Sequence, residues 1–315
     1  HLSGAHPLAV DDGALPPSHR RTVVKLGKQQ RRWIHVTGSA LGARGTSFVG
    51  VKIVEYSHQL SLDTFSAVTW SAVATLGAGY GACGMLLALA WLQLLTHHGV
   101  TSSRLWAIKT YGVSQLAKYT PGNIFHLAGR QAICVAAGLP AWPVAKSIVW
   151  ELAVIASTAL PFALMAAPLK WPVLGTATAI AAFAGALAIA VSGIRTCWSL
   201  CIARAVSLYA AFLLVSGLIF SALLAITVQH AKIDTHDAAF WLPVCGAYVI
   251  AWLAGLVTPG APAGVGVREA VLYWLMHGVV GQADLITAIV LGRMVTVAGD
   301  LMFFVGAALV PRPPH

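Results

Sequence analysis

The sequence predicts an all-α polytopic membrane protein with about seven transmembrane helices and two broken, re-entrant helical segments. Three observations carry this. Of 315 residues, 58% are hydrophobic and only 10% charged, with a mean hydropathy of +0.77, whereas soluble domains carry about 25% charged residues. Residues 64–103, 171–194, 205–231 and 238–267 contain no Asp, Glu, Lys or Arg, and a helical span needs roughly 20 apolar residues. Leu and Ala dominate without period-2 alternation, which favours helices over a β-barrel.

Taken in order, residues 1–31 read as a mobile basic cytoplasmic tail, and residues 32–310 as a single transmembrane domain. The tail holds Arg20, Arg21, Lys25, Lys28 and Arg31, part of an overall charge of +10. Positive-inside topology and attraction to anionic headgroups account for that excess. Nucleic-acid binding is not expected, because no soluble domain supports it. Residues 33–56 form the weakest span: Arg44, Lys52 and Glu55 interrupt it, so it reads as a first transmembrane helix or as an interfacial one. Residues 65–96 form a long span whose Gly77, Gly79, Gly81 and Gly84 would let a neighbour approach closely. His97 and His98 read as its solvated end.

The first broken segment covers about residues 102–138. Ser102–Tyr119 alternates Arg104, Lys109 and Lys118 with apolar residues, Pro121-Gly122 interrupts it, and a short helix carrying Arg130 follows. Spans are then expected over 141–166, 171–192, about 203–228 and 238–257. Arg195 and Arg204 mark a basic cytoplasmic loop, and His230–Asp237 a solvated loop on the opposite face. The second broken segment, about 258–281, contains Pro259, Pro262, Gly264 and Gly266 before Arg268-Glu269. The last span, 283–310, carries Arg293 and Asp300, seven apart and hence on one helix face; 311–315 is a tail. The five cysteines read as reduced packing residues. Cys197 and Cys201 fall on one face of a helix, with no third ligand nearby, so no metal site is expected.

The two broken segments have related neighbourhoods. Gly129-Arg130-Gln131-Ala132 precedes a short helix and a span with Glu151; Val267-Arg268-Glu269-Ala270 precedes a short helix and a span with Arg293. Paired broken hydrophobic segments point to an internal repeat and to a transporter's central site. Counting spans from a cytoplasmic N-terminus, with each segment re-entrant, places both segments on the cytoplasmic side and the C-terminus outside; a segment that crosses fully changes the later topology.

Two readings of the intramembrane charges are open. Arg130, Arg268 and Arg293 with Glu151, Glu269 and Asp300 form either ion pairs that lock helices together or a polar cavity for an anionic headgroup. Arg suits phosphate because its planar donors bind bidentately, and helix starts after a break offer free N–H groups to anions. Glu151 and Glu269 would hold the arginines in place. Asn123, His126 and Gln131 would add uncharged donors, with Lys118 and Asp300 as secondary charged groups.

Ser114-Gln-Leu-Ala-Lys-Tyr-Thr-Pro-Gly-Asn-Ile-Phe-His-Leu-Ala-Gly-Arg130 resembles the lysine-tyrosine-x-proline-glycine-asparagine…arginine segment of the lysylphosphatidylglycerol synthase transmembrane-region family, also described as flippase-like. Ala261-Pro-Ala-Gly-Val-Gly-Val-Arg-Glu-Ala270 resembles its second signature, with Ala263 in place of an expected glycine. Glu151 and Arg293 match acid and arginine positions of that family in the helices that follow. The resemblance covers about residues 45–310, the membrane part without the family's soluble synthase domain. It implies a multi-pass bacterial inner-membrane protein that moves a phospholipid or polyprenyl-linked lipid between leaflets, with no cofactor and no covalent chemistry. The alternatives are a membrane-embedded glycolipid or polyprenyl-phosphate transferase, and a non-transporting scaffold of an envelope lipid or glycan pathway. A homo-oligomer or an envelope-biosynthesis partner fits any of these.

Overall fold

A computed structural model describes residues 66–119, 124–228, 238–258 and 262–311. The basic tail, the 33–56 span, Pro121, Gly122, Asn123, Pro259 and the 230–237 loop lie outside the described residues.

The described chain is helical, as the absence of alternation requires. Helix α1 is Ala67–His97, α2 Arg104–Gln115 (continued by a 3₁₀ turn, Leu116–Tyr119), and α3 Phe125–Ala136. Then come α4 Ala141–Ala159, α5 Phe162–Ala166, α6 Thr176–Cys197 and α7 Leu200–Thr227. The chain closes with α8 Ala238–Val257, a 3₁₀ turn Pro262–Gly264, α9 Val267–Met276 and α10 Gln282–Leu309. Among the described residues, six helical stretches are long and apolar enough to cross a bilayer: α1, α4 with α5 (Ala141–Leu169), α6, α7, α8 (from Phe240) and α10. The protein is therefore a multi-pass membrane protein.

Inside a bilayer, helices gain little from hiding apolar surface and instead pack where small residues let backbones meet. Helices α1 and α10 do this. A Cβ added at Gly81 would lie 2.7 Å from the Gly299 carbonyl oxygen, and one at Gly84 would lie 2.6 Å from the Phe303 ring. Gly77 faces Val295, so residue numbers rise together and the two helices run parallel. Gly79, expected to join this contact, faces open space. Helix α7 runs antiparallel to both: its start meets the end of α1 through His97 and Ser199 (3.1 Å), and its end meets the start of α10 through Thr227 and the Asp284 carbonyl (3.3 Å). Gly217 then packs on Cys245, and Ser221 donates to the Trp241 carbonyl (3.0 Å). Helix α8 is accordingly antiparallel to α7.

These directions fix the two broken segments. Helix α2 enters from the face where α1 ends, and α3 returns to it, where α4 begins: Ser147 of α4 accepts from Trp91, near the end of α1 (3.2 Å). Helix α8 enters from the opposite face, where α7 ends, and α9 returns to that face to start α10. The two helical hairpins thus enter from opposite faces and their tips meet inside the bundle. This corrects the count that placed both segments on one side with the C-terminus opposite. The source of the error is α8: an apolar stretch of span length reads as an independent crossing, whereas it is the entering arm of the second hairpin. The C-terminal end of α10 consequently lies on the face where α1 ends and α6 turns into α7. There the Lys109 ammonium donates to the Ala308 (3.3 Å) and Val310 carbonyls, placing a cation on the negative end of the α10 dipole.

The expected 141–166 span is present as Ala141–Leu169, with Pro161 dividing it into α4 and the short α5. Two smaller readings change. Cys197 and Cys201 fall on different helices, because the chain turns at Trp198-Ser199. His97 and His98 are half-buried rather than solvated, packed tilted and edge-on against Trp150 with ring centroids 5.9 and 6.0 Å away.

Candidate functional site

The hairpin tips need backbone that only particular residues supply. In the second tip Gly264 (φ +70°) and Gly266 (φ +88°) are left-handed, and a Cβ on Gly264 would lie 2.8 Å from the Gly255 Cα. Ala263 is left-handed too, at φ +49°, a conformation that costs an L-residue about 1–2 kcal/mol. Something must hold it, and Arg293 does. Its guanidinium donates to the Ala263 carbonyl (3.1 Å) and the Gly264 carbonyl (3.2 Å), while its Nε is paired with Glu269. Glu269 in turn accepts from the Gly266 N–H (2.7 Å), satisfying one of the free donors at the start of α9. One arginine of α10 thereby clamps the whole second tip.

The first tip is gripped by the same helix with the opposite charge. Asp300 of α10 takes the Lys118 ammonium at 2.7 Å and the Tyr119 hydroxyl at 2.5 Å. Behind that tip, Arg130 of α3 pairs with Glu151 of α4 (2.5 Å), which also accepts from the Tyr111 hydroxyl (2.8 Å). The Arg130 guanidinium lies 3.9 Å from the Tyr111 ring centre and 5.0 Å from that of Trp91, in reach of cation–π attraction. The two halves share an arrangement in which the returning arm of each hairpin pairs with the next long helix. Charges are exchanged between them, Arg130 to Glu151 in one half and Glu269 to Arg293 in the other.

Between the tips lies a cavity of about 100 Å³, room for several waters or one compact polar group. Its lining combines the charged Lys118, Glu151, Arg268, Arg293 and Asp300 with the apolar Leu127, Leu152, Ile155, Trp252 and Leu256. Arg268 is distinct. It is 8% exposed, its guanidinium lies 4.3 Å from the Tyr248 ring centre, and it has no carboxylate among the described residues. The adjacent Glu269 is turned away onto Arg293.

Of the residues singled out from the sequence, Arg268, Arg293, Glu151, His126, Lys118 and Asp300 line the cavity. Arg130 does not: it is fully buried one layer behind, under Tyr111 and Glu151. Glu269 lines a second, smaller cavity on the other side of Arg268. Gln131 is directed elsewhere, its amide donating to the Ala141 carbonyl (2.8 Å), where it ties α3 to the start of α4. Sequence reasoning missed Tyr80, Tyr111, Gln115, Tyr119 and Thr296 in the lining, and Tyr248 beneath Arg268. Tyr111 and Tyr119 carried a signal: each falls within the interrupted segment, on a helix that also bears charge. No family model, curated protein or solved structure matches the chain.

Proposed function

We propose that this protein is a flippase-like lipid translocator, in which the cavity between the hairpin tips receives a phosphate-bearing headgroup. The observation that carries the reading is Arg268, a buried guanidinium facing a cavity and without a carboxylate among the described residues. A buried charge is retained at such a position only against a partner, and an anion from outside the chain supplies one. The mixed lining supports an amphiphile as its source: the charged residues suit the headgroup, and among the apolar ones Leu152 is also exposed on the bundle surface. Hairpins entering from opposite faces and meeting at one site support movement across the membrane, because each face has its own gate.

On this reading the face carrying Arg104, Arg195 and Arg204 is cytoplasmic, in a bacterial inner membrane. The headgroup pairs with Arg268, then competes with Glu269 for Arg293, and so loosens the second tip from α10. The test is reconstitution in liposomes with fluorescent phospholipid and an outer-leaflet quencher. Losing charge-assisted hydrogen bonds worth about 1.5–3 kcal/mol should slow translocation by Arg268→Ala about ten- to a hundredfold, with Arg268→Lys intermediate and both variants monodisperse. Wild-type rates in Arg268→Ala refute the site. Quenching by wild type no faster than in protein-free liposomes refutes translocation and favours the scaffold.

A further inference from the structure

The charge inventory of the cavity specifies the headgroup further. Asp300 is engaged by the Lys118 ammonium and the Tyr119 hydroxyl, Glu151 by Arg130 and the Tyr111 hydroxyl, and Glu269 by Arg293 and the Gly266 N–H. Each of these three carboxylates has one cation and one further donor, and each of those cations has its carboxylate. Arg268 is the remainder, so the described site carries one uncompensated positive charge.

Resting on the translocation reading, we infer that the cavity selects a phosphodiester lipid with one negative charge and an uncharged, hydroxylated headgroup, and discriminates against lipids bearing an ammonium. A single phosphodiester neutralises Arg268. The second charge of a phosphomonoester finds no free cation. An ammonium needs a carboxylate, and taking Asp300 would strip Lys118, whose side chain is only 18% exposed. Hydroxyls face no such cost, because uncharged polar groups line the same space. His126 Nδ1 is buried without a partner among the described residues, and Tyr80 and Gln115 also border the cavity.

The experiment compares three lipids that share an acyl-chain fluorophore: phosphatidylglycerol, phosphatidylethanolamine and phosphatidic acid. Each is present at trace level in liposomes containing the full chain, with outer-leaflet quenching as the readout. Phosphatidylglycerol should cross at least about tenfold faster than either of the others, as expected when a buried charge is left unmatched. Arg268→Gln should bring phosphatidylglycerol down to the level of phosphatidylethanolamine. Lys118→Met, which frees Asp300 for an ammonium, should raise phosphatidylethanolamine relative to phosphatidylglycerol. Equal protein-dependent rates for all three lipids in wild type overturn the selectivity while leaving translocation intact. No protein-dependent rate for any of them overturns translocation as well.

Discussion

Replacing both members of the Arg130–Glu151 pair separates architecture from function at this site. Glu151→Leu leaves the Arg130 guanidinium with 0% exposure and no carboxylate within reach, among aromatic rings. Breaking a buried pair from one side costs about 3–5 kcal/mol, and the Tyr111 hydroxyl loses its acceptor as well, about 1–3 kcal/mol more. Arg130→Met leaves a buried carboxylate that keeps only the Tyr111 hydroxyl, again within the 3–5 kcal/mol range. The double variant Arg130→Met/Glu151→Leu removes both charges, and such replacements are often neutral or stabilising by about 1–4 kcal/mol. The double should therefore be more stable than either single, giving a coupling energy of several kcal/mol in the cycle. Unfolding of purified protein in detergent, followed by tryptophan fluorescence, provides the measurement. Because Arg130 lies behind the cavity and the Glu151 carboxylate at its edge is taken up by Arg130 and Tyr111, the double should also retain translocation above one tenth of wild type. A double less stable than both singles refutes the pairing argument. A stable double without transport refutes the assignment of the Arg130–Glu151 pair to architecture alone.

Further outcomes follow from the packing and the topology. Gly299→Ala should destabilise by about 1–3 kcal/mol, the usual cost of overpacking, because its Cβ would lie 2.7 Å from the Gly77 carbonyl oxygen; Gly79→Ala, facing open space, should be neutral in the same unfolding assay. Ala263→Gly should raise stability by about 0.5–1 kcal/mol, since relief of the left-handed strain exceeds the entropy glycine adds to the unfolded chain. Single cysteines at Ala137 and His277, the exits of the two hairpins, should label with an impermeant maleimide from opposite sides of sealed vesicles; labelling from one side refutes the opposed hairpins.

The helical membrane architecture was legible because it depends on composition and run length, quantities that survive without any knowledge of neighbours. The interrupted segments were legible for a similar reason: glycine and proline act locally, and the structure puts Gly264 and Gly266 in conformations that demand glycine. Partnership was not legible. Arg268 and Glu269 are adjacent in sequence, yet their side chains leave a helix about 100° apart, so Glu269 reaches Arg293 of another helix and Arg268 reaches none of the described carboxylates. Gln131, the counterpart of Glu269 in the first half, for the same reason meets the backbone of α4 rather than the cavity. Hairpin orientation was hidden too, since nothing local distinguishes an apolar arm that turns back from one that continues across.

Helix α10 resolves what the local pattern leaves open. Arg293 and Asp300 are two turns apart on one face, and they hold opposite hairpins by opposite charges. An anionic headgroup is attracted to Arg268 and Arg293 but repelled by Asp300, so on the proposed mechanism its arrival loosens the second tip while leaving the first gripped. The order of opening is then set by charge sign rather than by contact area. Reversing the polarity tests this: Lys118→Asp/Asp300→Lys keeps the first grip but turns α10 into a doubly cationic helix. An anion bridging residues 293 and 300 should then be retained, so native mass spectrometry should find more co-purified phospholipid per chain as turnover in liposomes falls. Unchanged lipid occupancy together with unchanged turnover in the swapped protein would show that the sign of the charge on α10 does not govern release.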